Sequence, residues 1–128
     1  MDRIDIEVIL NKISFKELTE PSTSESSEAI RNRIAKAREI QINRLGQAAY
    51  NSRMSNREIK KFCVFEKDAI NILENAVKIM HLSARSYFKI LKTARTIADL
   101  GESEIICKNH LLEAISYKNL AKNYADFI

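Results

Sequence analysis

Residues 66–100 read EKDAINILENAVKIMHLSARSYFKILKTARTIADL, and two helical stripes run through them. Ala69, Ile72, Leu73, Ala76, Val77 and Met80 recur at i, i+3, i+4, i+7, i+8 and i+11. That spacing gathers apolar side chains on one face of a helix and predicts one over about 66–80. Ser83 can then cap a second helix reaching Leu100, with Tyr87, Ile90, Leu91, Ala94, Ile97 and Ala98 on one face and Gly101 ending it. Two amphipathic helices separated by so short a link must bury their stripes against further helices.

Those further helices are legible on both sides. Ser55-Asn56-Arg57-Glu58 fits the capping box, in which a Ser and a Glu three residues apart satisfy each other's exposed backbone N–H groups. A short helix to about Phe62 follows from it. Upstream, the serines before Glu28 suit the start of a helix with a narrow stripe at Ile30, Ile34, Ala37 and Leu45, stopped by Gly46. Asn51 to Met54 reads as loop. Downstream, a helix from about Cys107 buries Leu111, Ala114 and Ile115, with a continuation through Leu120, Ala121 and Tyr124. About five helices with short connections make an all-α bundle. Two Gly and one Pro in 128 residues agree, because an all-β chain needs many more turn residues.

Residues 4–10 stand outside this pattern. Ile4, Ile6 and Val8 alternate with Asp5 and Glu7, the period of a strand, yet no second strand of similar quality follows. A lone strand leaves its backbone groups unpaired, so the expectation is that this segment belongs to something larger. Thr19 to Ser27 is polar and Ser-rich and is the clearest boundary in the sequence.

With 45% apolar and 30% charged residues the composition is that of a globular domain. No apolar run approaches the ~20 residues of a membrane span, and the first residues do not resemble a signal peptide. Cys63 and Cys107 form no C-x-x-C pair, and with His81 and His110 at irregular spacing they build no zinc site. Reduced thiols in a cytoplasmic protein are expected. The net charge of +4 is uneven. Residues 28–61 carry nine basic side chains (Arg31, Arg33, Lys36, Arg38, Arg44, Arg53, Arg57, Lys60, Lys61) against Glu28, Glu39 and Glu58. The remainder holds twelve against fourteen. Such asymmetry is compatible with a polyanionic partner, although the charges are spread around the helix instead of forming one stripe.

Catalytic motifs are absent. With Gly46 and Gly101 alone no phosphate loop can be built, and no Ser/His/Asp or Cys/His set has a recognisable context. His110 reads as a packed or capping histidine, and Met80, Tyr87 and Phe88 as core. Arg3, between Asp2 and Asp5, reads by itself as a surface residue beside two carboxylates. Arg85 is open to two readings. It lies in the first turn after Ser83, where a cation meets the positive end of the helix dipole at a cost of roughly a few tenths of a kcal/mol. It is either a solvated cation, with Lys89, Lys92 and Thr96 on the same polar face, or a ligand for a phosphate arriving at that end.

The run Leu82-Ser83-Ala84-Arg85-Ser86-Tyr87, followed by Ile90-Leu91-Lys92-Thr93-Ala94-Arg95-Thr96-Ile97-Ala98-Asp99-Leu100, resembles the C-terminal region of Mg-chelatase-related AAA+ ATPases of the ComM/YifB family. Ser26 to Arg31, Ala37-Arg38 with Gln41, Ser55 with Glu58-Ile59, and His110-Leu111 with Glu113-Ala114-Ile115 and Tyr117 extend the likeness over nearly the whole chain. Asp2-Arg3-Ile4-Asp5 is similar to the family's segment at the end of the nucleotide-binding core. Lys108 departs from the family, which often has Pro there, a tolerable change at the first helical position.

The resemblance implies that residues 1–20 are a remnant of the AAA+ core and 21–128 the helical lid behind it. It implies that Arg85 matches the sensor-2 arginine, which reaches ATP bound in the core, and that Arg3 matches an arginine finger acting on a neighbouring subunit's ATP. ATP and Mg would belong to the full-length parent and none to this chain alone, which would not hydrolyse ATP. Its partners would be the core in cis, other subunits of a homo-hexamer, and DNA through the parent, a motor linked to branch migration in natural transformation. The competing expectations are a stand-alone nucleic-acid-binding module using residues 28–61, or a protein-interaction bundle.

Overall fold

A computed structural model describes residues 5–8, 10, 12, 14–19, 24–47 and 49–118. Among them are six α-helices: α1 (Phe15–Thr19), α2 (Ser27–Leu45), α3 (Asn56–Phe62), α4 (Lys67–Met80), α5 (Ala84–Leu100) and α6 (Lys108–Ser116). All five expected helices are present, and α1 is an additional short one. The continuation beyond residue 118 lies outside the described residues.

The capping chemistry read from the sequence accounts for most helix starts. Ser26, one residue earlier than the first helical residue, accepts the Ala29 N–H at 3.1 Å. Ser55 and Glu58 form the reciprocal capping box at 3.2 and 3.1 Å. Ser83 accepts the Ser86 N–H at 3.1 Å. Such caps are each worth about 1 kcal/mol. At α6 the Cys107 N–H donates to His110 Nδ1 at 3.0 Å, so His110 is a capping histidine. The Lys108 N–H, which a proline would lack, donates to Glu66 Oε1 at 2.8 Å and ties the start of α6 to the start of α4. Gly46 ends α2 at φ +98°, a conformation that disfavours any side chain.

Helix α5 is the centre of the bundle and packs against α2, α3 and α6, while α4 packs on α6. Ala69, Ala76, Ala94, Ala98 and Ala114 are all essentially inaccessible, and these small residues let helices approach closely. Ile59, Ile90, Ile106, Leu111 and Ile115 fill the space between them, each burial stabilising by about 1.5–3 kcal/mol. Met80, Tyr87 and Phe88 are partly buried against this core, the two rings meeting edge to face at 5.2 Å. The links before α4 and before α6 are joined by a single parallel bridge between Phe65 and Ile106.

Residues Asp5–Val8 and Leu10, where a strand without a partner in this chain is expected, pair with no strand among the described residues. The segment lies against the bundle through the Glu7 N–H to Tyr117 carbonyl bond at 2.7 Å, with Ile6 and Val8 exposed. Two other expectations need correction. The α2 stripe is only half used: Ile30 and Ile34 are 38% and 55% exposed, and burial begins at Ala37. Residues 27–36 are all exposed, whereas Ala37 and Gln41 are buried where α2 packs on α5. Finally, Asn51–Arg53 is a 3₁₀ turn with Asn51 buried, not a plain loop.

Cys63 is buried and free. Burial pushes its thiol up from 9.0 to about 11, against the opposing pull of Arg95 and Arg44. Between 9.0 and about 11 the unfolded chain has lost a proton that the native state keeps, so stability is unaffected below 9.0 and falls as pH rises through that window. Below pH 9 a thiol reagent is expected to label half-exposed Cys107 and to reach Cys63 only on unfolding. Equal labelling rates in the native protein would contradict this.

Candidate functional site

Helix α4 stops where His81 turns left-handed, at φ 50° and ψ 51°. Leu82 then packs against the core and Ser83 caps α5. This turn fixes where Arg85 emerges. Ser86, next in sequence, is buried, so the following faces of α5 point inward and Arg85 points to solvent.

Of the three cations expected on this polar face, two are engaged. Lys89 Nζ lies 2.7 Å from Asp5 Oδ1, and its hydrogen bond is the main cause holding the Asp5 carboxyl below its usual value. Lys92 Nζ donates to the Ser52 carbonyl at 3.0 Å. Arg85 has no hydrogen bond or ion pair among the described residues. An open groove of about 440 Å³ runs beside the engaged pair, between residues 5–8 and helices α5 and α6. Arg3 lies outside the described residues, so its position relative to Arg85 is not part of this geometry.

The charged residues deepest in the molecule are ones the sequence reading used only as motif letters. Asp99 is fully buried and Arg95 is 1% exposed. Asp99 Oδ1 accepts from Arg44 Nη2 at 2.6 Å and from Arg95 Nε at 3.1 Å. Its Oδ2 accepts from Arg44 Nη1 at 2.9 Å and Asn51 Nδ2 at 2.8 Å. Arg95 also donates to the carbonyls of Ser103 and Glu104, at 2.5 and 2.9 Å, which pins the turn after α5. Burial lowers the Arg95 pKa and Asp99 opposes that shift. Gln41 completes the set by accepting the Asn51 N–H at 3.1 Å. The available signal was the position of Arg95 and Asp99, i and i+4, directly beside Ala94 and Ala98 on the apolar stripe. At these distances the network locks α2, the 3₁₀ turn and α5 into one unit.

Comparison with known proteins matches residues 24–118 to the family described as magnesium chelatase, subunit ChlI C-terminal. The chain is 40% identical over 97 residues to protein YifB of Salmonella typhimurium, covering 76% of this chain and 19% of that protein. It is 40% identical over 94 residues to YifB of Escherichia coli, covering 73% and 18%. Over 124 residues it is 35% identical to competence protein ComM of Haemophilus influenzae, covering 95% and 24%. The chain therefore spans about a quarter or less of the length of these relatives. The match takes in the Ser83 cap, Arg85, the Arg44–Asp99–Arg95 network and His110, and the chain belongs to the magnesium chelatase subunit ChlI C-terminal family, corresponding to the C-terminal region of ComM/YifB-type proteins.

Proposed function

We propose that this chain is the lid of a Mg-chelatase-like AAA+ ATPase and that Arg85 is its sensor for the phosphates of ATP. The observation that carries the reading is the state of Arg85: exposed and unpartnered among the described residues, on a face whose other two cations, Lys89 and Lys92, are held. A guanidinium left free at the capped start of a helix is suited to a phosphate, since the dipole's positive end adds to its charge. The ATP, its Mg²⁺ and the phosphate loop would come from the core of the parent. In that setting the lid binds and orients the phosphate end, while hydrolysis itself belongs to the core.

Residues 1–20 would be the edge of that core. Ile6 and Val8 are 54% and 64% exposed, and one buried oxygen of Glu7 has no hydrogen-bond donor. Both features suit a segment whose pairing partner lies in another part of the protein. In a homo-hexameric parent Arg3 would act as the finger on the neighbouring subunit's ATP. That the Haemophilus influenzae relative ComM is a competence protein supports a parent that acts on DNA.

The test of the lid reading is ATP hydrolysis by the full-length protein carrying Arg85→Ala, with wild-type turnover as the result against it. The Arg3 role is read separately, by mixing Arg3→Ala subunits with subunits that cannot bind ATP. A finger acting in trans predicts ATP turnover in the mixture that neither variant shows alone, because an ATP-binding Arg3→Ala subunit then meets a neighbour's arginine. A mixture as inactive as its parts would exclude it.

A further inference from the structure

The excess positive charge of residues 28–61 has a focus. An open groove of about 490 Å³ lies between the end of α2 and α3, walled by Arg44, Arg57 and Lys61, with Leu45 and Phe62 as its apolar strip. Ser55 and Glu58 also line it. Glu58 is the acidic member, with one carboxylate oxygen held by the Ser55 N–H at 3.1 Å. Arg57 and Lys61 are exposed, one helical turn apart on α3, and Arg57 has no partner among the described residues.

The floor of the groove is electropositive for a second reason. Arg44 reaches down from it to Asp99, but Asp99 also serves Arg95. One carboxylate facing two guanidiniums leaves a positive charge in excess at a site where the Arg44 side chain is only 13% exposed. Partial burial weakens solvent screening, so that charge is felt in the groove.

We propose that this groove binds the phosphodiester backbone of single-stranded nucleic acid. The exposed guanidinium fork of Arg57 suits phosphate oxygens and Lys61 adds a point charge, while Arg44, its own fork held by Asp99, contributes only the field of its charge. The strip of Leu45 and the half-buried Phe62 ring lies beside these cations, where sugars and bases follow the phosphates. An acidic peptide would satisfy the cations but leave that strip uncovered. The site is distinct from the Arg85 end of α5. Asp99, beneath the groove, is fourteen residues further along that helix, a rise of about 21 Å.

The experiment is fluorescence anisotropy of a labelled single-stranded oligonucleotide against the chain at low and at near-physiological salt. Arg57→Ala/Lys61→Ala is the test variant, because both side chains are exposed whereas Arg44 is part of the buried network. Lys67→Ala/Lys78→Ala, the same charge change on α4, is the control. Wild-type binding is expected to weaken with salt, and the test variant to lose roughly tenfold in affinity and about 1.4 from the log–log salt slope, about 0.7 for each phosphate contact. The control variant should bind as wild type does. Absence of binding at low salt, or an equal loss in the control, would overturn the proposal. So would displacement by polyglutamate at the same charge concentration as by unlabelled oligonucleotide, which would make this a groove for acidic protein segments. Binding and hydrolysis are read in separate assays, so this proposal and the Arg85 role can fail independently.

Discussion

Replacing Asp99 by Ala is expected to destabilise the chain by about 3–5 kcal/mol, the cost typical of leaving buried charge without its counterion. The side chain is wholly inaccessible and accepts from Arg44, Arg95 and Asn51. Without it, two guanidiniums face each other across the α2–α5 contact with nothing between them. Asp99→Asn keeps the shape but removes the charge and puts a donor where donors already point, so it should cost nearly as much. Urea unfolding followed by circular dichroism measures both. A loss under about 1 kcal/mol, the range of an exposed ion pair, would mean that the network contributes little to holding α2 on α5. Arg95→Lys should also be damaging. An ammonium cannot span Asp99 and the carbonyls of Ser103 and Glu104 as the fork does.

Arg85→Ala should do the reverse, leaving the fold intact and removing activity. The residue is exposed and makes no hydrogen bond or ion pair among the described residues, so unfolding free energy should change by less than about 0.5 kcal/mol. Removing an unfavourable cation from the start of α5 even tends to stabilise slightly. In the full-length protein, loss of a donor aimed at charge that develops during phosphoryl transfer is expected to lower ATP turnover by roughly 10²-fold. Arg85→Lys separates two roles. If charge alone matters, much of the activity returns; if a fork on two phosphate oxygens is needed, little does. Unchanged hydrolysis in Arg85→Ala, with normal assembly, would remove Arg85 from the ATP site.

Much of the bundle could be read in the sequence because its signals are local. The stripe in α4, the box at Ser55, the cap at Ser83 and the stop at Gly46 depend on residues within one or two turns of each other. They appear as expected, except that Val77 of the α4 stripe is exposed. Where the reading failed, the missing information was non-local. Ile30 and Ile34 keep helical spacing, yet both stay exposed, uncovered by any helix among the described residues. Periodicity reports which face could be buried, not whether a partner comes.

The candidate site divides along the same line. The Leu82-Ser83-Ala84-Arg85 run by itself determined that a cation sits in the first turn of a capped helix, because capping and helical phase need nothing beyond neighbouring residues. That Arg85 is unpartnered while Lys89 and Lys92 are held was decided only by the tertiary structure, which brings Asp5 and Ser52 to α5 from distant parts of the chain. The same holds for Arg44, Asn51 and Asp99. Separated by up to 55 residues, they meet only when α2 packs on α5. A carboxylate in water and the same carboxylate sealed among three donor side chains carry the same letter in the sequence, and desolvation tells them apart only after the chain has folded.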